Sequence, residues 1–231
     1  MGAFFIYQND LECFFLIDVF YLFVDNQKSF EPYRKYMKYI SVERQKRIER
    51  FYFDKDKITS LFSELLARKV ISEKTGLKYD DIVFLLAEKG KPYVSQADSY
   101  HFSVSHSGRC IVFADNTSPI GVDTEFIKDA KMNIAKNYFS ADEYEYIKQS
   151  GEPDRTFFEI WTKKEAYVKM TGEGISVGFD TFSTFDEKKK KDFYTWGEKG
   201  YMFSVCTENL LKESIKIKEL SEKNILQSFF F

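Results

Sequence analysis

The spacing of apolar residues in the first half of the chain predicts one long helix followed by short strands. Leu61, Leu65 and Val70 recur at near-helical spacing, which predicts a helix over residues 61–75. Shorter apolar runs bounded by turn residues then predict strands at 81–86, 100–104 and 110–114. A tight turn at Gly108 makes the last two strands a predicted hairpin.

A second half with the same order of elements follows a cluster of turn-forming residues at 115–119. Its patterns predict a strand over 120–125, helices near 131–137 and 140–149, a long helix over 154–171, and strands around Phe182 and over 201–207. The charged segment 187–192 is predicted to be the tip between the last two strands. The turn cluster therefore divides the chain into two predicted domains, residues 1–118 and residues 119–231.

The charge balance of this 231-residue chain is slightly acidic. It has 34 Lys and Arg residues against 36 Asp and Glu residues. Such a balance creates no global field that attracts nucleic acid or an anionic membrane. An anionic ligand therefore has to be bound by a local cluster of cations.

Several features predict a cytoplasmic protein. The most apolar stretch, residues 11–24, contains Glu12 and Asp18 and is shorter than the about 20 residues that a membrane helix needs. No basic segment with a small-residue cleavage site opens the chain, so no secretory signal is expected. The three cysteines lie far apart without metal-ligand spacing, which is typical of a reducing compartment.

The strand over 120–125 carries two carboxylates that can act together. Strand alternation places Asp123 and Glu125 on one face and Val122 and Thr124 on the other. Two carboxylates so placed can share a hard cation such as Mg²⁺, which prefers oxygen ligands and often completes its shell with a substrate phosphate. The alternative is a strand with one solvated face.

The long helix places a lysine within its apolar stripe. Lys164 lies in that stripe, while Glu165 and Lys169 border it four residues apart. Glu165 and Lys169 could be an ordinary surface pair. Alternatively, Glu165 completes a three-carboxylate metal site, and both lysines face the phosphates that the metal holds. The helix spacing does not decide between these interpretations.

Two further segments carry candidate binding residues. Ser105, His106 and Ser107 precede the turn at Gly108 and could form an anion cradle, although a lone histidine at such a position is more often a core residue. Tyr138 and Phe139 precede a capping box at Ser140-Ala141-Asp142-Glu143. These two rings could be core or could present an apolar patch to a partner.

Taken in order, five motifs resemble the Sfp-type (surfactin-synthetase-activating) 4'-phosphopantetheinyl transferases. They are Gly90-Lys91-Pro92-Tyr93, Phe102-Ser103-Val104-Ser105-His106-Ser107-Gly108, Gly121-Val122-Asp123-Thr124-Glu125, Tyr138-Phe139-Ser140, and Trp161-Thr162-Lys163-Lys164-Glu165-Ala166 through Lys169 to Gly174. The resemblance spans roughly residues 40–207.

The resemblance implies an α+β fold with two similar α/β halves related by pseudo-twofold symmetry, with coenzyme A in the cleft between them. It also implies a monomer that moves the 4'-phosphopantetheine arm of coenzyme A to a serine of an acyl or peptidyl carrier protein. The reaction would require Mg²⁺ and release adenosine 3',5'-bisphosphate. Nucleic acid and membranes are not expected as partners.

The same resemblance implies a role for each matching residue. Asp123, Glu125 and Glu165 would hold Mg²⁺ against the pyrophosphate. The residues that would bind coenzyme A are Arg44, Arg47, Ser105 and His106 at the 3'-phosphate, Lys91 and Pro92 in the adenine-side loop, and Lys164 and Lys169 beside the pyrophosphate. Asp123, Glu165 and Lys169 would carry the chemistry, and the base for the attacking serine is Glu165 or a metal-bound water.

Thr59 departs from the family pattern, because many relatives carry an arginine there toward the 3'-phosphate. Binding of the 3'-phosphate would then depend on Arg44 and Lys57. One alternative is therefore a weak relative that binds coenzyme A or carrier proteins without efficient transfer. A second alternative is a nucleic-acid module that uses residues 30–57, against which the acidic pI argues.

Overall fold

The structure is a computed structural model that describes residues 17–174, 178–186, 192–208 and 215–229. Its strands are β1 (Ile17–Phe23), β2 (Phe84–Leu86), β3 (Pro92–Val94), β4 (His101–Ser107), β5 (Cys110–Asn116), β6 (Ile120–Phe126), β7 (Asp192–Glu198), β8 (Tyr201–Thr207) and β9 (Ile215–Leu220). Its α-helices are α1 (Val42–Glu49), α2 (Asp54–Thr75), α3 (Met132–Tyr138), α4 (Ala141–Gln149), α5 (Pro153–Thr171) and α6 (Glu222–Gln227). Short 3-10 helices cover Glu31–Tyr39, Tyr79–Asp81 and Phe179–Thr181.

The strands form two main sheets and a small hairpin. The first sheet has the order β4-β5-β1-β9, in which β1 is antiparallel to β5 and parallel to β9. The second sheet has the order β6-β8-β7 and is antiparallel, and β2 pairs with β3. This mixture of helices and sheets agrees with the predicted α+β class. The division of the chain at residue 118 stays a prediction, and β9 lies in the same sheet as β1.

Helix α2 provides the main packing surface of the first sheet. Leu61, Phe62 and Leu65 are fully buried against strand residues such as Phe113. The helix ends at Gly76 as predicted, because that residue adopts φ 74°, a left-handed conformation that favours glycine. It begins earlier than the apolar spacing predicts, since its first two turns are rich in polar residues.

Helix α5 lies unusually close to β6 in the second sheet. A Cβ atom at Gly121 would stand 1.8 Å from the Ala166 carbonyl oxygen. Only glycine therefore allows this approach. The consequence for function is that α5 side chains such as Glu165 and Lys169 stand beside the Asp123 face of β6.

The order of elements in the second half was predicted correctly except near its end. The strand predicted around Phe182 is wrong, because a 3-10 helix precedes this residue and the next described strand is β7. Of the predicted charged tip, residues 187–191 lie outside the described part, and Asp192 begins β7. The chain instead reverses between β7 and β8 at Lys199 and Gly200, which both have positive φ.

None of the helices in the described ranges is long and apolar enough to cross a membrane.

Candidate active site

Three alternate serines of β4 join the first sheet to the second. The Ser105 hydroxyl donates to Asp123 Oδ1 at 2.6 Å, and the Ser107 hydroxyl donates to Glu125 Oε2 at 2.6 Å. The hydroxyls of Ser103 and Ser107 accept backbone N–H groups of β6. Because side chains alternate along a strand, all three serines face β6. These bonds fix the two carboxylates relative to β4.

Asp123 lies at the centre of the predicted metal-binding residues and is buried. Its Oδ1 atom accepts from Lys169 Nζ at 2.7 Å, and Lys169 Nζ also donates to the Ser105 hydroxyl at 2.8 Å. Its Oδ2 atom is buried and has no hydrogen-bond partner among the residues that the structure describes. A buried carboxylate oxygen with no partner is costly in a folded protein, so this atom is suited to a cation.

Glu165 and Glu125 complete what we call the carboxylate cluster (Asp123, Glu125 and Glu165). Burial, together with the charges of the other two carboxylates, raises the pKa of Glu165 to about 7. Burial also raises the pKa of Glu125, with Asp123 adding to the effect. Glu165 accepts no hydrogen bond from the residues that the structure describes. The cluster therefore concentrates three carboxylates beside a single paired ammonium, that of Lys169.

Within the described ranges, no three Asp, Glu, His or Cys side chains are arranged as a ready-made metal site. The donor chemistry of the carboxylate cluster nevertheless suits a hard cation, because it offers only carboxylate oxygens and one of them, Asp123 Oδ2, lacks a partner. The residues present therefore fit Mg²⁺ by donor type.

On the other side of β4 lies a cavity of about 400 Å³, which we call the basic pocket. Its charged and imidazole side chains belong to Arg44, Arg47, Lys55, Asp56 and His106. The pKa of His106 is lowered first by partial burial and then by the neighbouring cations, so the ring is neutral near pH 7. The pocket therefore has the charge and donors to bind an anion.

The basic pocket contains three of the four residues predicted to bind the 3'-phosphate. Arg44, Arg47 and His106 come together there, as their predicted common role requires. The Ser105 hydroxyl does not join them, because it lies on the opposite face of β4 and binds Asp123 and Lys169.

A second cavity of about 290 Å³, which we call the cleft, is lined by Lys91 and Pro92 together with Glu165 and Lys169. The Lys91 ammonium itself is occupied, since it donates to the Ile120 carbonyl at 3.1 Å and to the Met170 carbonyl at 2.9 Å. Burial lowers the pKa of Lys91 to about 8. The side chain thus ties the β2–β3 loop to the end of α5, and the loop borders the cleft.

The structure gives Lys164 different neighbours from those predicted. Its side chain is fully buried, where the ammonium lies 2.8 Å from Glu143 Oε2. It also donates to the carbonyls of Phe179 and Phe182 at 2.6 and 2.7 Å. Neither Lys164 nor any of these partners lines the cavity that Glu165 lines, so the predicted phosphate contact of Lys164 is corrected to a structural one.

Ser107, predicted to form an anion cradle with Ser105 and His106, lines the basic pocket, but its hydroxyl binds Glu125. No role was predicted for Ser103 or Lys55. The three-fold Ser-x-Ser-x-Ser alternation that ends at Ser107 is a signal that was available, because it places the hydroxyls on one strand face. Lys55 gave no signal of its own, since it lies in a segment rich in lysine.

Two family descriptions match consecutive stretches of the chain. Residues 119–219 match the family described as 4'-phosphopantetheinyl transferase superfamily. Residues 27–118 match the one described as 4'-phosphopantetheinyl transferase, N-terminal. The first stretch contains the carboxylate cluster, and the second contains the side chains of the basic pocket apart from Asn26.

Individual proteins are similar over most of the chain. The 4'-phosphopantetheinyl transferase Sfp of Bacillus subtilis (strain 168) is 35% identical over 167 residues, which cover 71% of this chain and 75% of that protein. The 4'-phosphopantetheinyl transferase psf-1 of Bacillus pumilus is 38% identical over 162 residues, covering 69% and 70%. The 4'-phosphopantetheinyl transferase gsp of Aneurinibacillus migulanus is 29% identical over 224 residues, covering 89% and 94%.

Proposed function

Since this chain belongs to the Sfp-type 4'-phosphopantetheinyl transferases, we propose that its cleft binds coenzyme A between the basic pocket and the carboxylate cluster. The protein is an enzyme that transfers the phosphopantetheine group to carrier proteins. The observation that carries the assignment of the site is the position of β4, whose opposite faces present His106 to the basic pocket and Ser105 to Asp123.

In this proposal the 3'-phosphate of coenzyme A occupies the basic pocket. Arg44, Arg47 and His106 supply cations and an imidazole, and guanidinium groups match the geometry of phosphate oxygens. The adenine lies by the loop of Lys91 and Pro92, which lines the same cleft as Lys169. The pyrophosphate then reaches Lys169 and the carboxylate cluster.

Asp123, Glu125 and Glu165 would hold Mg²⁺, which neutralises charge on the pyrophosphate when it is bound. Asp123 Oδ2, which lacks a hydrogen-bond partner within the described ranges, supports this proposal. Lys169 already spans Asp123 and Ser105, so it is held where a second positive charge is needed beside the phosphates.

In the transfer step, the carrier serine oxygen forms a bond to the phosphorus that bears pantetheine. The bond from that phosphorus to the oxygen of the adenosine-side phosphate breaks, and adenosine 3',5'-bisphosphate leaves. Glu165 accepts the serine proton, because it lines the cleft and is free of hydrogen bonds from the described residues. Lys169 stabilises the negative charge that develops on the departing phosphate.

The direct test is mass spectrometry of several apo carrier proteins after incubation with the enzyme, coenzyme A and Mg²⁺. We expect each accepted carrier to gain the mass of one phosphopantetheine on its serine, and the gain to disappear in chelator. Binding of coenzyme A without a mass gain on any carrier would favour the weak relative instead. A monomeric, cytoplasmic enzyme remains our prediction.

We also propose that the carrier docks beside the carboxylate cluster at Tyr138. Tyr138 is 58% exposed, whereas Phe139 is buried and stacks on Phe157 with ring centroids 5.4 Å apart. A carrier has to bring its serine to the cluster, and α3, which Tyr138 ends, belongs to the same half. Net electrostatic steering of an acidic carrier is weak here, so apolar contact has to contribute more.

Tyr138→Ala is therefore expected to raise the KM for the carrier, corresponding to roughly 1–2 kcal/mol if the ring is a hot spot, and to leave coenzyme A affinity unchanged. Phe139→Ala is the matched aromatic control, and it should lower the melting temperature because it empties a packed site. Steady-state kinetics with varied carrier and thermal melting decide the matter. An unaltered carrier KM in Tyr138→Ala would place the docking surface elsewhere.

A further inference from the structure

The basic pocket has a charge balance that matches one phosphate monoester. Three cations and one carboxylate line it, namely Arg44, Arg47, Lys55 and Asp56, beside the neutral ring of His106. The formal charge of the lining is thus about +2, and a phosphate monoester carries about −1.5 to −2 near pH 7. Each of the three cations is needed for this match.

The three cations differ in how far protein carboxylates already engage them. Arg44 Nε lies 3.3 Å from Glu64 Oε2, and its guanidinium also donates to Ser60. Lys55 forms no ion pair with any residue in the described ranges, and its ammonium lies over the Phe53 ring, 5.2 Å from the centroid. Arg47 likewise forms no ion pair within those ranges, and its guanidinium lies over the Phe51 ring, 5.8 Å from the centroid. Lys55 and Arg47 therefore have charges that are more available to a ligand than that of Arg44, and Lys55 is the one of the two that α2 contributes.

Helix geometry explains why Lys55 reaches the pocket. Residues four apart lie on one face of a helix, so Lys55 and Thr59 both line the pocket from α2. Thr59 contributes a hydroxyl and no charge. Lys57 points elsewhere, where its ammonium donates to Asp54 Oδ1 at 3.1 Å, and it does not line the pocket. Lys55 is therefore a better candidate than Lys57 for the contact with the 3'-phosphate.

We infer that Lys55 is a specificity-determining residue that contacts the 3'-phosphate from α2 and distinguishes coenzyme A from dephospho-coenzyme A. This inference rests on the proposed placement of the 3'-phosphate in the basic pocket. It concerns binding alone, so it can be tested without a carrier or turnover.

The experiment measures the Kd of coenzyme A and of dephospho-coenzyme A by titration calorimetry. We expect the native protein to prefer coenzyme A. Lys55→Ala should weaken coenzyme A binding about tenfold and leave dephospho-coenzyme A binding unchanged, because only the former has the phosphate that Lys55 contacts. Lys55→Arg should keep the preference, and Lys55→Glu should weaken coenzyme A binding further. Added salt should shrink the difference between native protein and Lys55→Ala.

Lys57→Ala is the matched control, since it removes the same charge from the same helix outside the pocket. It should keep the native preference. A loss in Lys57→Ala equal to that in Lys55→Ala would show a general charge effect and overturn the inference. A preference that survives in Lys55→Ala would overturn the role of Lys55 alone, whereas equal binding of both ligands by the native protein would overturn the placement of the 3'-phosphate.

Discussion

Asp123→Asn and Glu165→Gln are each expected to abolish transfer while the protein stays folded. Both substitutions keep the size of the side chain and remove one negative charge from the carboxylate cluster. Transfer of this kind depends on positioning and on neutralisation of charge, so loss of one member should lower kcat by roughly a thousandfold or more. The mass gain of a carrier protein over time measures the rate.

Glu165→Gln should not lose stability. The pKa of Glu165 is raised by burial and by the charge of Asp123, which means that neutralising Glu165 relieves repulsion in the folded protein. We therefore expect the melting temperature of Glu165→Gln to equal or exceed that of the native protein.

Glu159→Gln is a suitable control, because Glu159 lies on the same helix but pairs with Lys163 at 2.6 Å outside the cluster. It should transfer at nearly the native rate. Full activity of Asp123→Asn or Glu165→Gln, or full activity of the native protein in chelator, would contradict both the carboxylate cluster as the reaction centre and the proposed need for Mg²⁺.

The local part of the site was predictable because it depends on short-range periodicity. Strand alternation places Asp123 and Glu125 on one face of β6, as predicted, and Val122 is buried on the other. Helical spacing likewise sets Glu165 and Lys169 on one side of α5. These relations hold within single elements, so the sequence contains all the information that they require.

The parts that were missed depend on contacts between distant segments. The strand predicted at Phe182 does not form, because this residue and Phe179 turn their carbonyls toward Lys164 on α5. Likewise, the meeting of Lys55 with His106 in one pocket depends on how α2 packs beside β4. Neither arrangement can be predicted from the spacing of residues along the chain.

Lys164 combines a correct prediction with an incorrect one. Its predicted place in the apolar stripe is confirmed, because the side chain is fully buried and its ammonium has an ion-pair partner there. The partner is Glu143, 21 residues earlier, and not a phosphate. Glu143 already had an explanation in the sequence as the last residue of a capping box, which it does form with the Ser140 backbone N–H at 3.1 Å. Because the capping box already explained Glu143, nothing in the sequence pointed to its ion pair with Lys164.

Breaking this buried pair is expected to produce the largest loss of stability. Both side chains of the Lys164–Glu143 pair are fully buried, and Glu143 also accepts the Thr184 N–H at 2.7 Å. Removing one partner leaves a buried charge without compensation, which typically costs about 3–5 kcal/mol. Lys164→Met should therefore lower the free energy of unfolding in denaturant by that amount, and Glu143→Gln should have a similar effect.

The double variant Lys164→Met/Glu143→Gln tests whether the two residues stabilise the protein as a pair or independently of each other. It should be destabilised by less than the sum of the single variants, because neither charge is left alone in the core. Lys163→Met is the control for loss of a lysine from α5, and it should cost below about 1 kcal/mol because its pair with Glu159 is partly exposed. Calorimetry adds a second readout. At temperatures where Lys164→Met is folded, its affinity for coenzyme A should equal that of the native protein, since the Lys164 side chain is fully buried and does not line the cleft. A stable Lys164→Met protein with weakened coenzyme A binding would support the phosphate contact that the resemblance implies and would contradict the structural role.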